Sequence, residues 1–295
     1  MDKNKKAILV TGAKGQVGQE FQLLSKKYLN LDFTFVDLAE LDITDMDAVR
    51  LFFEKNNFNY CINCAAYTAV DKAENHPDLA EKVNVKGVEY LAENCNKNKV
   101  HLFHLSTDYV YHSGKNQPFN EGDKPSPKGV YGKTKLAGDE VALRNNVNTT
   151  IIRTSWVYST FGNNFVKTMI RLGTERDELK IIFDQIGTPT YARDIAKAIM
   201  NLIEKTENQD VNKGKLNGIF HFSNEGVASW YDFAKAIFEI KNIDCKIYPI
   251  ETKDYPTPAS RPHFSLLNKA KIKTVFGIEI PYWRDSLQAC LREMS

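Results

Sequence analysis

The sequence predicts a doubly wound α/β fold, an open parallel sheet with helices on both faces, together with a smaller domain that is discontinuous in the chain. Two observations carry this. Short apolar runs alternate with amphipathic stretches from residue 7 to 158, and strands that alternate with helices build parallel sheets through right-handed crossovers. After residue 158 the rhythm loosens, and 218–224 is the further stretch that reads as a sheet strand. The expected division is 1–158 for the sheet domain, with 187–224 returning to it, and 159–186 with 225–295 for the second domain.

The elements follow in order. "AILVTG" (7–12) is a short apolar strand ending in glycine, and 16–28 sets Val17, Phe21 and Leu24 at helical spacing. Residues 32–37 read as the second strand, and 45–56 as a helix with Asp45 placed to cap it. The stretch 59–66 is strand-like, 78–98 one long amphipathic helix, 100–107 an apolar strand, 129–145 a helix and 149–158 a strand. Further helices are expected at 163–175, 192–206 and 229–240, an exposed polar loop at 205–218, and an irregular proline-rich loop at 254–262.

Composition removes several functions. Lys plus Arg is 39 and Asp plus Glu 37, a formal charge of +2, whereas a nucleic-acid surface needs clustered basic excess. The apolar runs are too short to span a bilayer. The start has a basic head but too little apolar sequence for a signal peptide, so the cytoplasm is the expected location. The five cysteines are odd in number and lack framework spacing. Cys61 and Cys64 sit three apart on a strand, on opposite faces, and read as buried reduced thiols. His101 and His104 have no partner at metal-ligand spacing and read as structural, with no metal expected.

"TGAKGQVG" places Gly12, Gly15 and Gly18 between the first strand and its helix. Such a turn lets backbone amides approach a pyrophosphate, and the helix N-terminus adds partial positive charge. The spacing G-x-x-G-x-x-G differs from the common dinucleotide fingerprint, and glycines also serve to make a bare turn. Asp37 ends the second strand, where an acid accepts hydrogen bonds from an adenosine ribose or is simply an exposed loop residue. Asp42 and Ile43 could frame an adenine. Ala65 and Ala66 leave room for a cofactor or for close helix–sheet packing, and Thr68 offers a hydroxyl. Ser106, Thr107 and Asp108 end a strand at the rim where ligands bind in open sheets, though the same residues also cap helices. Tyr131 and Lys135 lie four apart on one helix face. A free phenol has a pKa of about 10. An adjacent ammonium would pull it down and make a general acid near neutrality.

These motifs, in this order, resemble the extended short-chain dehydrogenase/reductase superfamily. "AAYTAVDKAE", "RTSWVY", "GNNFVKTM", "DQIGTPTYA" and "YPTPASRP" resemble its dTDP-4-dehydrorhamnose reductase branch, over about residues 7–290. The resemblance implies a Rossmann-like fold and reduction of the C4 ketone of dTDP-4-dehydro-6-deoxy-L-mannose by NADPH or NADH. It implies Tyr131 as proton donor, Lys135 as its tuner and a ribose ligand, and Thr107 bonded to the substrate oxygen. Gly12, Gly15, Gln16, Val17 and Gly18 would hold the pyrophosphate. Asp37, Asp42, Ile43, Ala65, Ala66 and Thr68 would line the rest of the dinucleotide. Asp108, Trp156, Asn163, Gln185 and Arg261 would meet the sugar nucleotide. Asp37 leans towards NADH, since an acid repels a 2′-phosphate, and Lys14 could offset that. Some members dimerise through a magnesium ion on glutamates. Glu20 matches one such position, but Arg193 stands where a second glutamate is expected, so a monomer is expected over that dimer. Two rivals share these motifs: a non-catalytic NAD(P)-binding subunit resembling the regulatory beta subunit of methionine adenosyltransferase, and another sugar-nucleotide epimerase or dehydratase.

Overall fold

A computed structural model describes residues 5–294. The first residues of the basic head and the last residue of the second expected domain lie outside them. Five strands, β1 Lys6–Thr11, β2 Leu31–Val36, β3 Tyr60–Asn63, β4 His101–Thr107 and β5 Thr149–Thr154, join a sixth, Gly218–His221. The sheet order is Gly218–His221, β5, β4, β3, β1, β2, with every neighbouring pair parallel. The chain goes from β1 outward to β2, then crosses back to β3 on the other side. A groove opens at the carboxyl ends of strands where the order reverses in this way. All residues of β3 and β5 are buried, as expected for central strands covered on both faces.

The helices of the first half are α1 Gln16–Ser25, α2 Met46–Lys55, α3 Val70–Asn75, α4 Pro77–Glu81, α5 Gly87–Lys97 and α6 Val130–Asn145. Asp45 caps α2 by accepting from Ala48 N at 3.0 Å. Farther on come α7 Phe165–Glu175, α8 Ala192–Glu207 and α9 Trp230–Lys241. One sheet face packs Phe21 and Leu24 of α1 against Ile195, Ile199 and Ile203 of α8. The other packs Val49, Phe53, Leu91 and Val141 of α2, α5 and α6. A separate apolar cluster gathers Val166, Met169, Phe233, Ile237, Trp283 and Leu287. Beside it runs a parallel strand pair, Glu178–Ile182 with Lys246–Ile250. Neither that pair nor the C-terminal helix Trp283–Arg292 was legible in the sequence.

Three expected elements differ. The helix expected over 78–98 is α4 and α5 joined by a π-helical turn, Lys82–Lys86. Buried Asn84 in that turn binds Tyr67 N at 2.8 Å and Thr134 at 3.1 Å. Its carbonyl presses on Gly138 of α6, where a Cβ would come within 2.2 Å. The strand expected over 149–158 breaks after Thr154. Trp156 takes a left-handed φ of 47°, and Val157–Tyr158 pairs instead with Thr190–Tyr191. The strand expected over 59–66 stops at Asn63. Cys61 is buried and Cys64 only half-buried, and among the described residues all five cysteines are free. Among the described residues no helix is long and apolar enough to cross a membrane.

Candidate active site

Gly12 follows β1 with φ +65°, and a Cβ there would meet Ala65 N at 2.5 Å. Only glycine lets the turn press this closely on the chain leaving β3. At Gly18 a Cβ would lie 2.3 Å from Gly12 O, so the first turn of α1 sits directly on the loop. Gly15 is the helix cap and makes no side-chain cap bond, which leaves the first amides of α1 facing outward. A groove of about 440 Å³ lies here, lined among others by Gly12, Gly15, Asp37, Asp42, Ala65 and Ala66. Ile43 also lines it, through a side chain that belongs to the core. Asp37 accepts Lys14 N at 2.8 Å and Leu38 N at 2.9 Å. The exposed Lys14 ammonium is 3.7 Å from Glu40. Asp42 folds back on Thr44, accepting its amide at 2.9 Å and its hydroxyl at 2.7 Å. The Thr44 hydroxyl is the first cause holding Asp42 below the ordinary carboxylate range.

Not every expected cofactor residue reaches the groove by its side chain. Val17 packs into the core, so only its backbone can face a phosphate. Gln16 reaches the other way: it accepts from Asn164 Nδ2 at 2.9 Å, and Gly162 packs against its Cγ. Thr68 is exposed in the segment before α3.

Farther along the rim, Thr107 ends β4 and caps the turn that follows, accepting Tyr109 N at 3.2 Å and donating to Asp108 Oδ1 at 3.1 Å. Both are buried. Burial pushes the Asp108 carboxyl up to about 6, against hydrogen bonds from Ser265 and Thr107. Tyr131, in the first turn of α6, packs edge-on against Tyr109 with ring centres 5.4 Å apart. Its phenol is pushed up to about 12: burial raises it, a hydrogen bond with Thr107 lowers it, and Asp108 and Asp139 raise it further. Lys135, expected to pull the phenol down, is not among the groups acting on it here. Lys135 is buried and its Nζ is turned into the fold, 2.7 Å from Leu105 O and 3.1 Å from His104 Nε2. Burial lowers it to about 8, while Asp139 acts the other way.

The residues expected around the sugar nucleotide separate into two groups. Arg261 faces the rim, where it forms a two-pronged pair with Asp71 at 2.7 and 3.1 Å. Arg261 is the first cause holding the Asp71 carboxyl below its ordinary range. Asp71 had read as part of a solvated face. Trp156 stacks on Trp230 with ring centres 3.7 Å apart, and Gly187 is the residue that lets it lie flat. Gln185 is buried with both amide ends taken, by Thr252 and by Trp230 Nε1, each at 3.1 Å. Asn163 is exposed. Its neighbour Asn164 does the local work, capping α7 through Lys167 N at 3.1 Å.

Sequence reasoning passed over Asn63, Asp139 and Arg153, and read His104 as structural. They form two buried polar groups behind Lys135: Thr11 to Asn63 at 2.7 Å with Asn63 to His104 at 3.0 Å, and Arg153 to Asp139 at 3.0 Å. Asp139 follows Lys135 by four residues, so the helix spacing that paired Tyr131 with Lys135 extends to it. Glu20 is also buried. It accepts from Ser159 at 2.6 Å and from Arg193 Nε at 2.7 Å, so the cation the sequence placed there is in direct contact with it.

A reversed parallel sheet with a glycine-lined groove at the reversal, and a Tyr/Lys helix on the same rim, belongs to the nicotinamide-dependent oxidoreductases of the extended short-chain dehydrogenase/reductase class. The family model described as RmlD substrate binding domain matches residues 6–295. A dTDP-4-dehydrorhamnose reductase of Aggregatibacter actinomycetemcomitans is 41% identical over 288 residues, 95% of this chain and 97% of that one. A structure described as that of a dTDP-4-dehydrorhamnose reductase from Clostridium acetobutylicum superposes with a TM-score of 0.92 at 40% identity, covering 98% of this chain and 99% of its own. One from Bacillus anthracis, solved in complex with NADP, gives 0.92 at 35% identity over 98% and 99% of the two chains. The chain belongs to the dTDP-4-dehydrorhamnose reductase family.

Proposed function

We propose that this protein reduces the C4 ketone of dTDP-4-dehydro-6-deoxy-L-mannose to dTDP-L-rhamnose. The observation that carries the reading is the packing of Tyr131 against Tyr109, two residues past the strand-end Thr107, on the same rim as the glycine-lined groove. The groove suits a dinucleotide: the first α1 amides face outward for a pyrophosphate and Asp37 directly follows the neighbouring strand β2. Gly12, Gly15, Gly18, Ala65 and Ala66 would hold it closely, with Gln16, Val17, Asp42, Ile43 and Thr68 around them. A bound reduced nicotinamide supplies the hydride. Thr107 orients the ketone oxygen, and Tyr131 Oη gives that oxygen a proton as charge develops on it. At neutral pH a phenol held near 12 keeps its proton, yet it remains a far stronger acid than an alcohol, so transfer to an alkoxide runs downhill. Lys135 would lie beneath the nicotinamide ribose.

In this reading residues 1–158 and 187–224 carry the dinucleotide, while 159–186 and 225–295 close over the sugar nucleotide. Trp156 and Asp108 would border the sugar, and Arg261 would meet the pyrophosphate. Asn163 and Gln185 would act at its edge, Gln185 by holding Trp230 and Thr252. Because Arg193 already neutralises Glu20, a monomer fits better than a metal-linked pair. The direct test is oxidation of NADH and NADPH with the dTDP-4-keto sugar. Absence of turnover with either, alongside intact dinucleotide binding, would favour a regulatory subunit instead.

Two substitutions examine the ligand assignments. Arg261→Ala is expected to raise KM for the sugar nucleotide about 10–100-fold, the worth of a charged hydrogen bond, with kcat nearly preserved. An unchanged KM would remove Arg261 from the substrate site. Asp37 and Lys14 line the groove, and Glu40 accepts Asp37 N at 2.9 Å and lies 3.7 Å from the Lys14 ammonium. Asp37→Asn with Glu40→Gln should therefore move the NADPH-to-NADH ratio of kcat/KM upward by about tenfold, some 1.4 kcal/mol. An unmoved ratio would place the adenosine ribose elsewhere.

A further inference from the structure

Trp156 holds a left-handed φ of 47°, a conformation that strains a bulky residue and persists only where its surroundings over-determine it. They do so here. Ser155 Oγ donates to Thr188 O at 2.8 Å, and Thr190 N donates to Trp156 O at 3.1 Å, so one segment grips this backbone at two points. The ring is gripped as well. A Cβ at Gly187 would lie 2.7 Å from Cε2 of the indole, and 2.9 Å from both Cζ2 and Nε1. These are three consecutive ring atoms, and near-equal distances to them put Gly187 over a face of the ring, not beside its edge. Trp230 stacks on the same indole at 3.7 Å, 8° from parallel. Two groups this close cannot share one face, so Gly187 covers one and Trp230 the other.

Both jaws belong to one short antiparallel ladder. Gly187 pairs with Ala228 and Ile186 with Ser229, and Trp230 follows directly. Trp230 is itself held in place: it donates from Nε1 to Gln185 Oε1 at 3.1 Å and packs on Phe165 with ring centres 4.7 Å apart. Gln185 is fixed in turn by Thr252 at 3.1 Å. The Trp156 ring is still only half-buried, and with its faces covered it offers its edge. That edge stands on the reacting rim. Thr154, two residues earlier, is the register partner of Thr107. Ser265, which bonds Asp108, is tied through its amide to Ile186 O at 2.9 Å.

We propose that Gly187 and Trp230 are positioning residues that clamp the Trp156 indole between them, so that it meets the sugar of the substrate by its edge, at a depth set by the missing side chain at position 187. The assignment rests on the reductase reading and adds to it the residues that fix this wall of the sugar site.

In Gly187→Ala the new methyl comes within 2.7 Å of Cε2, and with Trp230 behind it the ring can only slide along the rim. The experiment measures dissociation constants for dTDP-L-rhamnose, dTDP and NADH by calorimetry on the full chain. Gly187→Ala is expected to lower the affinity for dTDP-L-rhamnose relative to dTDP about tenfold, the worth of one methylene out of place in a pocket, and to leave NADH unchanged. In a Trp156→Phe background the same substitution should cost almost nothing, because the smaller ring leaves the methyl room. A merely structural effect would appear in both backgrounds. Trp230→Leu removes the opposite jaw and should lower the same ratio, which tests the clamp if Gly187→Ala does not fold. In protein labelled with 5-fluorotryptophan, the Trp156 resonance, assigned by its loss in Trp156→Phe, should move in either variant with no ligand present. An unmoved resonance, an unmoved ratio, or an equal loss in the Trp156→Phe background overturns the proposal and leaves the reductase reading standing. A protein that binds neither dTDP compound overturns both.

Discussion

Tyr131→Phe is expected to lower kcat about 10²–10⁴-fold, the range for losing a positioned general acid, while the dissociation constant for NADH stays nearly unchanged. The ring would keep its edge contact with Tyr109, so the fold around α6 has little reason to move. What the proposed role would lose is the proton for the ketone oxygen. The effect should fall on kcat and kcat/KM alike, because the proton moves only as the oxygen gains charge. Single-turnover kinetics at saturating cofactor would separate chemistry from binding. A variant that turns over at the parental rate would take the proton donor away from Tyr131 and leave Thr107 or Asp108 to be considered.

Arg153→Leu is expected to destabilise the protein by about 3–5 kcal/mol, because it strands a buried carboxylate. Arg153 is 2% exposed and donates from Nε to Asp139 at 3.0 Å and from Nη1 to Tyr111 Oη at 2.7 Å. Burial already raises Asp139, and Arg153 is the first of the groups opposing that rise. Removing the guanidinium lets the carboxyl climb further. The sign follows from linkage: a carboxyl whose native pKa is raised binds its proton more tightly folded than unfolded. Its contribution is therefore most favourable at low pH and is lost as pH rises from about 3.9 through the native value. The deficit of Arg153→Leu relative to the parent should shrink on acidification and grow towards neutrality, read as urea midpoints across pH. Adding Asp139→Leu should recover part of the loss, since removing both members of a buried pair costs less than removing one. A single variant within about 1 kcal/mol of the parent would mean that water or Lys135 already neutralises Asp139.

The sheet was legible because its strands are apolar and regularly spaced. β1 to β5 fall inside the expected runs, give or take a terminal residue, and Asp45 caps α2 as its spacing suggested. What failed were places where a side chain far away in sequence decides the backbone. Asn84 pulls a turn of helix into a π bulge because Tyr67 and Thr134 claim its amide. Trp156 breaks the strand expected over 149–158 because it lies flat on Trp230 against a glycine. In the site the pattern repeats. Strand-end and helix spacing pointed to Thr107 and Tyr131, which lie at the end of β4 and in the first turn of α6. Spacing puts Lys135 on the same helix face as Tyr131 but does not say which way its Nζ turns, and here it turns to Leu105 O and His104. Asp71 and Arg261, 190 residues apart, had no sequence signal as a pair.

By itself the sequence determined the alternation that makes the parallel sheet, the glycine turn after β1 and the order of hydroxyl, phenol and lysine along the rim, since each of these depends on residues close together in the chain. Only the tertiary structure decided which groups face Lys135, what the buried phenol's proton affinity is, and where Arg261 points. Those are set by burial and by contacts between strands and helices that no local pattern encodes, because the field at a buried charge comes from whatever folding brings next to it.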